Sequence, residues 1–127
     1  MKKVDFHRMS RETVTEDSLP GSDQAKLAEL RREIDRLDEA LLDLIAQRRD
    51  GVAQVQRLKR ESGLPIRSPR REREMAARAG AIARHHGLPP EAAVSVLRST
   101  IHCCLQAVGE AEETAGLASS CSLENKR

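Results

Sequence analysis

The sequence predicts an all-α fold with three helices per chain, the first of them very long. The chain has one aromatic residue among 127, and 33% of its residues are charged. Its apolar residues are mostly aliphatic, a composition that favours helices over β-sandwiches and barrels. Apolar residues also recur at steps of three and four, which is the period of one face of an α-helix. Composition and period therefore agree on the fold class.

The first helix is predicted to begin at Ser22-Asp23 and to end near Ser62. Serine and aspartate are favourable N-cap residues, and the run Gly63-Leu64-Pro65 is a helix stop. Between these limits one face carries Leu27, Leu30, Ile34, Leu37, Leu41, Leu44, Arg48, Val52, Val55 and Lys59. We call this series the stripe. Its regular spacing predicts that a single side of the helix is packed.

Two shorter helices follow. Ser68-Pro69 predicts an N-cap followed by proline at the first helical position, and Gly87 predicts the end of that second helix. The third helix is predicted to begin near Pro89-Pro90-Glu91, and its aliphatic residues share one side as far as Val108. The three predicted helices form a helical domain spanning residues 23–108.

Residues on both sides of this domain lack a helical period. Residues 1–22 are polar and are predicted to form a disordered N-terminal arm. Residues 109–127 are rich in Ala, Ser and Glu and are predicted to form a flexible C-terminal tail. Neither segment carries enough apolar residues to bury a core of its own.

Composition also limits the function classes. The three cysteines are odd in number and lack the C-x-x-C spacing, so neither a disulfide framework nor a zinc site is expected, and no motif calls for a metal or other cofactor. No apolar run or secretory signal is visible, so a membrane is not an expected partner and the cytoplasm is the expected location. Residues 25–108 carry 16 Lys/Arg against 11 Asp/Glu, a net charge of +5. That excess suits a small anion, but with so few aromatics it does not indicate nucleic acid.

The length of the first helix predicts an assembly. A helix of about 40 residues is about 60 Å long, whereas a compact globule of about 85 residues has a radius of gyration near ~12 Å. Two short helices cannot cover an apolar stripe of that length. A second copy of the chain is therefore expected to cover it, giving a homodimer.

Two cations interrupt the stripe. Arg48 and Lys59 stand where aliphatic residues are expected, and they lie eleven residues apart, close to three helical turns, so they point in nearly the same direction. Burying an uncompensated charge is costly, so one interpretation is an anionic ligand bound between them. The other interpretation places both at the rim of the packed face, with their charged heads in water. The pattern alone leaves both open.

Two further charged residues are candidates for the same site. Arg31 lies about 25 Å from Arg48 along the helix, so it reaches a shared small ligand only across an antiparallel dimer; otherwise it is a solvated arginine. Glu72 opens the stripe of the second helix and is suited to accept a hydrogen bond from a ligand hydroxyl, or simply to favour the helix N-terminus. No nucleophile or proton shuttle is evident. The expected chemistry is therefore positioning and electrostatic stabilisation.

The order and spacing of several motifs resemble the AroQ-type, all-helical chorismate mutases. The matching segments are Leu30-Arg31-Arg32-Glu33-Ile34-Asp35-Arg36-Leu37-Asp38, Leu41-Leu42, Arg48-Arg49, Lys59-Arg60-Glu61-Ser62-Gly63-Leu64-Pro65-Ile66, Arg71-Glu72 and His86-Gly87-Leu88. The resemblance covers residues 25–108. It implies an intertwined homodimer with two equivalent sites that rearranges chorismate to prephenate in aromatic amino acid biosynthesis, without a cofactor.

The resemblance also implies a role for each site residue. Arg31 comes from the partner subunit, and Arg48 binds the other substrate carboxylate. Lys59 contacts the ether oxygen, Glu72 and Ser68 contact the ring hydroxyl, and Arg71 supports the carboxylate region. These assignments describe an active site made largely of cations.

Cys104 and Val108 stand at substrate-binding positions where the family commonly has Ser and Gln or Glu. These departures keep related activities open, namely 4-amino-4-deoxychorismate mutase and isochorismate-pyruvate lyase. They also keep open a function of another class, a non-catalytic helical dimer that binds a dicarboxylate or a partner protein.

Overall fold

The computed structural model describes residues 14–124, with side chains up to residue 116. A 3-10 turn, Glu16–Ser18, precedes three helices: α1 (Gly21–Ser62), α2 (Pro69–His85) and α3 (Pro90–Glu124). No strand occurs among the described residues. None of the described helices has a stretch apolar enough to cross a membrane. The predicted all-α class, with three helices and a very long first one, is confirmed.

Local hydrogen bonds explain where α1 ends. Gly63 adopts a positive φ of 70°, a conformation that glycine reaches without the steric cost paid by other residues. The backbone N–H of Leu64 then donates to the carbonyl oxygen of Lys59 at 2.8 Å, which satisfies one of the last free carbonyls of the helix. The predicted stop at Gly63 is therefore confirmed.

The N-terminus of α2 is capped as predicted. The Ser68 hydroxyl accepts a hydrogen bond from the backbone N–H of Arg71 at 3.3 Å, and Pro69 occupies the first helical position. At the other end Gly87 has a φ of 69°, and Leu88 N–H donates to the Ala83 carbonyl at 2.8 Å. These caps fix the chain path on both sides of α2.

Replacing Ser68 with alanine is expected to lower the free energy of unfolding by about 1 kcal/mol, because the first turn of α2 loses its side-chain acceptor. Urea denaturation monitored by circular dichroism measures the change. Ser99→Ala is the matched control, since Ser99 is exposed in the middle of α3, where alanine is the better helix former. Equal stability of the Ser68→Ala variant and the native chain would contradict the prediction.

The last helix is longer than predicted. It continues past Val108 to Glu124, whereas the sequence was expected to lose its helical structure at Gly109. The segment after Gly109 is rich in alanine and glutamate, which are strong helix formers. Arg60 of α1 also forms an ion pair with Glu112 of α3, with 2.6 Å between Nη2 and Oε1. The flexibility of residues 109–127 stays a prediction.

The predicted N-terminal arm is described only in part. Residues 1–13 lie outside the described residues. The remainder contains the 3-10 turn, where the Gln24 side-chain amide donates to the carbonyl oxygens of Asp17, at 3.1 Å, and Leu19, at 2.9 Å. These bonds connect the turn to the first residues of α1.

The chain divides into two compact units, one ending at Leu41 and the other beginning at Leu42. In the second unit α2 packs against α3, and Ala83, Cys104 and Val108 are buried. In the first unit the large aliphatic side chains of the stripe remain 44–68% exposed: Leu30, Ile34, Leu37 and Leu41. A single chain therefore leaves this part of the stripe uncovered.

Candidate active site

A cavity of about 400 Å³ opens in the second unit, between the C-terminal half of α1, the following loop and the two other helices. That volume is in the range of small-molecule sites. Its lining residues are Arg48, Gly51, Val52, Val55, Gln56, Lys59, Ile66, Arg67, Ser68, Arg71, Glu72, Met75, Ile101 and Leu105. The structure thus brings together five predicted site residues: Arg48, Lys59, Ser68, Arg71 and Glu72.

Among the residues that line the cavity, Arg48 indicates most clearly which kind of ligand the cavity binds. Its Nη2 atom lies 3.7 Å from the sulfur of Met75, which is a weak acceptor. Its Nη1 atom is buried and has no hydrogen-bond partner among the described residues. A buried cationic donor without an acceptor is costly, and a carboxylate is the group that best compensates it. Nη1 therefore does not reach water as the rim interpretation required.

Lys59 lies three helical turns further along α1. Its Nζ atom donates to the backbone carbonyl of Ile66 at 3.0 Å. The side-chain amide of Gln56 approaches the same carbonyl, with 3.5 Å between Nε2 and the oxygen. Two donors from α1 thus converge on one oxygen atom of the loop that leads into α2.

Glu72 is held by a residue that the sequence analysis did not single out. Its Oε1 atom accepts hydrogen bonds from Arg67, at 3.1 Å from Nε and 2.7 Å from Nη2. This contact orients the carboxylate toward the cavity mouth that both residues line. Its position was the one indication in the sequence that Arg67 belongs to the site: it directly precedes the Ser68 cap and lies five residues before Glu72.

Arg71 lines the cavity from the first turn of α2, where its backbone N–H donates to Ser68. Its guanidinium also lies near Glu74, at 3.8 Å between Nη1 and Oε2. The side chain is exposed, so this ion pair contributes little to stability and leaves the guanidinium free to move.

Cys104 and Val108 do not line this cavity. The α3 wall is made by Ile101 and Leu105, which are four residues apart and share a helix face. Cys104 is one residue, about 100°, away from Leu105. It is fully buried, with its sulfur 3.7 Å from the Ile45 carbonyl oxygen. Val108 is buried as well and lines a separate groove.

The side of α3 that faces the cavity is therefore rotated by about one residue from the side that was expected to face it. The apolar side of α3 is broad enough to supply both core and cavity. Ile101, Cys104, Leu105 and Val108 all lie on that apolar side, and periodicity alone does not divide it. Cys104 and Val108 are buried, Cys104 against the Ile45 carbonyl of α1, whereas Ile101 and Leu105 face the cavity.

Arg31 belongs to the first unit, where Glu16 binds it. Both guanidinium Nη atoms donate to the two carboxylate oxygens; the Nη1–Oε2 distance is 2.6 Å. The hydrogen bond from Arg31 lowers the pKa of the Glu16 carboxyl, and the hydrogen bond to Glu16 raises the pKa of Arg31. Since the carboxyl pKa is depressed, the pairing is complete at neutral pH and is lost as pH falls through that lowered value.

The match to known proteins covers the whole cavity. Residues 30–107 match the sequence model of the family described as chorismate mutase type II. The chain belongs to this family. Every cavity residue and Arg31 fall inside the match, whereas Glu16 and Val108 fall outside it. The AroQ-type resemblance seen in the sequence is thereby confirmed.

Three relatives illustrate how the family uses this domain. The chain is 46% identical over 74 residues to a T-protein of Enterobacter agglomerans, covering 58% of this chain and 20% of the relative. It is 37% identical over 83 residues to a bifunctional chorismate mutase/prephenate dehydratase of Aquifex aeolicus, covering 63% and 23%. It is 32% identical over 76 residues to a chorismate mutase of Methanocaldococcus jannaschii, covering 60% and 77%. The chain thus spans about a fifth of the first two relatives and most of the third.

Proposed function

We propose that this member of the chorismate mutase type II family is a chorismate mutase, an isomerase that rearranges chorismate to prephenate. The observation that carries the proposal is the buried, unpartnered Nη1 of Arg48 in a cavity that also holds Lys59, Arg67 and Arg71. Such a cavity is incomplete without an anion. Chorismate is a small dianion, and the family match supports it as the substrate.

The reaction needs no nucleophile or proton transfer from the protein. In chorismate the ether C–O bond breaks while a C–C bond forms, in one cyclic movement of electrons. Arg48 binds one carboxylate and so holds the flexible substrate in the folded geometry that reacts. Pre-ordering of this kind removes several kcal/mol from a barrier, up to about 7–11 in favourable cases.

Lys59 acts on the charge that develops during the reaction. As the ether bond breaks, negative charge grows on its oxygen, and Nζ exchanges the neutral Ile66 carbonyl for that oxygen. A positioned donor aimed at developing charge is typically worth about 2.7–4 kcal/mol. Glu72, already oriented by Arg67, accepts the hydrogen bond of the ring hydroxyl, and Ser68 lies beside it at the cap of α2.

The functional unit in this proposal is a homodimer. The exposed aliphatic side chains of the first unit give a continuous apolar surface, and a second copy of the same stripe is its natural cover. In that arrangement Arg31 reaches the cavity of the partner subunit and binds the second carboxylate. Its guanidinium is suited to the task because it already binds one carboxylate, Glu16, through both Nη atoms.

Replacing Leu37 with lysine is expected to convert the dimer into monomers, because a charge enters the centre of the apolar surface. Leu37 is 68% exposed in the single chain, so the substitution itself does not disturb the fold of that chain. Sedimentation velocity measures the change. Glu39→Lys places the same side chain on the opposite side of α1 and is expected to remain dimeric. A dimeric Leu37→Lys variant would contradict the proposed interface.

The activity is tested by offering the purified protein chorismate, 4-amino-4-deoxychorismate and isochorismate separately, and following substrate loss and product by chromatography. Prephenate formation from chorismate supports the proposal. Turnover of the amino compound alone, or release of pyruvate from isochorismate alone, would replace it with one of the related activities. Inertness toward all three would favour the non-catalytic dicarboxylate- or partner-binding dimer.

A further inference from the structure

The α3 wall of the cavity offers no hydrogen-bond donor. Its two contributions are Ile101 and Leu105, both aliphatic, while Cys104 and Val108 pack elsewhere. Lys59 is thus the one donor that the resemblance to the family assigns to the ether oxygen. A charge developing on that oxygen has room for more than one hydrogen bond, because an oxygen carries more than one lone pair.

Gln56 is a largely buried polar side chain that lines this cavity. It is 9% exposed, the one buried polar residue of α1 among the described residues. Its amide nitrogen lies 3.5 Å from the Ile66 carbonyl oxygen, beyond the usual range of an N–H···O hydrogen bond. Its amide oxygen accepts no hydrogen bond from the described residues. The fold therefore engages the amide nitrogen through one long contact and leaves the side chain available to a ligand in the cavity that it lines.

The position of Gln56 relative to Lys59 indicates what it binds. The two residues are three apart on α1, so they are neighbours on its surface. Both direct a nitrogen at the same Ile66 oxygen, at 3.0 Å from Lys59 and 3.5 Å from Gln56. A ligand oxygen that draws Lys59 away from this carbonyl therefore also lies within reach of the Gln56 amide.

We propose that Gln56 is a second substrate-binding donor, whose side-chain N–H hydrogen-bonds the same ether oxygen as Lys59. This role rests on the proposed function and adds a neutral donor to the site. That donor, the Gln56 amide, comes from α1 and not from the apolar α3 wall. Its amide is fixed by burial, so it loses little freedom when the substrate binds. Because charge grows on that oxygen as the bond breaks, the hydrogen bond is stronger in the transition state than in the bound substrate.

The first experiment compares Gln56→Leu with the native chain on chorismate. Leucine is similar in size and apolar, so the fold is retained, as thermal unfolding will verify. The expected result is a fall in kcat of about 10- to 100-fold with a small change in KM, which marks a transition-state contact. Gln54→Leu is the control on the exposed side of α1, two residues away, and is expected to keep native kinetics.

The second experiment uses Gln56→Glu and a pH profile, because recovery of kcat at low pH, which Gln56→Leu has no group to provide, marks a hydrogen-bond donor. When protonated, the introduced carboxyl donates a hydrogen bond as the amide does; when ionised, it repels the dianion. Activity of this variant is therefore expected to be highest at low pH and to fall as pH rises through the pKa of the introduced group, relative to the native profile.

The outcomes separate the two proposals. A native chain that turns over chorismate while Gln56→Leu keeps its kcat within twofold overturns the role of Gln56 alone. A Gln56→Glu variant whose pH profile parallels the native one also overturns it. A native chain that leaves chorismate unchanged overturns the proposed function and this inference together.

Discussion

Replacing Arg48 with methionine is expected to lower the rate of chorismate turnover by roughly 10²- to 10³-fold, while the chain stays folded with an equal or higher melting temperature. The guanidinium is the cation whose Nη1 lies buried without a partner, so its removal takes away a carboxylate ligand and also an uncompensated charge. Losing such a fixed donor costs about 2.7–4 kcal/mol of transition-state stabilisation, or roughly 10²- to 10³-fold in rate. Filling a buried ionic position with an apolar side chain is often neutral or stabilising. Initial rates and thermal unfolding measure the two effects.

Arg49→Met is the matched control for this substitution. Arg49 is the next residue of α1, is exposed, and forms its ion pair with Asp50 at 2.9 Å, outside the cavity. It is expected to retain native turnover. An Arg48→Met enzyme with more than a tenth of the native rate would show that Arg48 does not serve the substrate. One that unfolds at a clearly lower temperature would show that Arg48 stabilises the fold.

Lys59→Ala is expected to lower kcat by roughly 10²- to 10³-fold with a much smaller change in KM, because Nζ acts mainly on charge present in the transition state. Steady-state kinetics on chorismate over a range of concentrations measures the two constants separately. The loss of the 3.0 Å bond to Ile66 is not expected to unfold the chain, since that carbonyl retains the approach of Gln56 and access from the cavity.

Arg57→Ala provides the control for Lys59. Arg57 is a cation of the same helix, two residues earlier, but it is exposed and lines a groove other than the cavity. Its removal changes the net charge by the same amount as the Lys59 substitution. A rise in KM without a fall in kcat for Lys59→Ala would assign the lysine to substrate capture and would argue against its contact with the ether oxygen.

The predictable part of the fold followed from local chemistry. Ser68, Pro69 and the glycines at positions 63 and 87 specify caps and turns that depend on neighbouring residues alone, and the structure has them at the predicted positions. The sequence does not predict the end of α3, because Gly109 is compatible both with a helix stop and with a continued helix. A glycine ends a helix when the chain turns there, but it can also be carried within a helix of strong helix formers at a cost of about 1 kcal/mol.

Part of the cavity was equally visible in the sequence. Arg48 and Lys59 interrupted an aliphatic series, and a break in a regular pattern is detectable from the chain alone. Arg67 and Gln56 gave no such signal, because a polar residue on a charged helix or in a loop is ordinary until packing buries it. Their importance depends on the Glu72 carboxylate and the Ile66 carbonyl, contacts between segments that folding brings together.

The sequence by itself determined the all-α class, the C-terminal end of α1, the limits of α2, the family and the cationic character of the site, because each depends on residue type and spacing along one helix. The start of α1 was predicted with Ser22-Asp23 as its caps, but the helix begins at Gly21, so both residues lie inside it. Only the tertiary structure decided which side of α3 faces the cavity, that Arg48 Nη1 lies buried without a partner, and that Gln56 and Lys59 share one acceptor. The physical reason is that a helical period gives the direction of a side chain relative to its own axis. What that side chain meets depends on how the other helices pack against it.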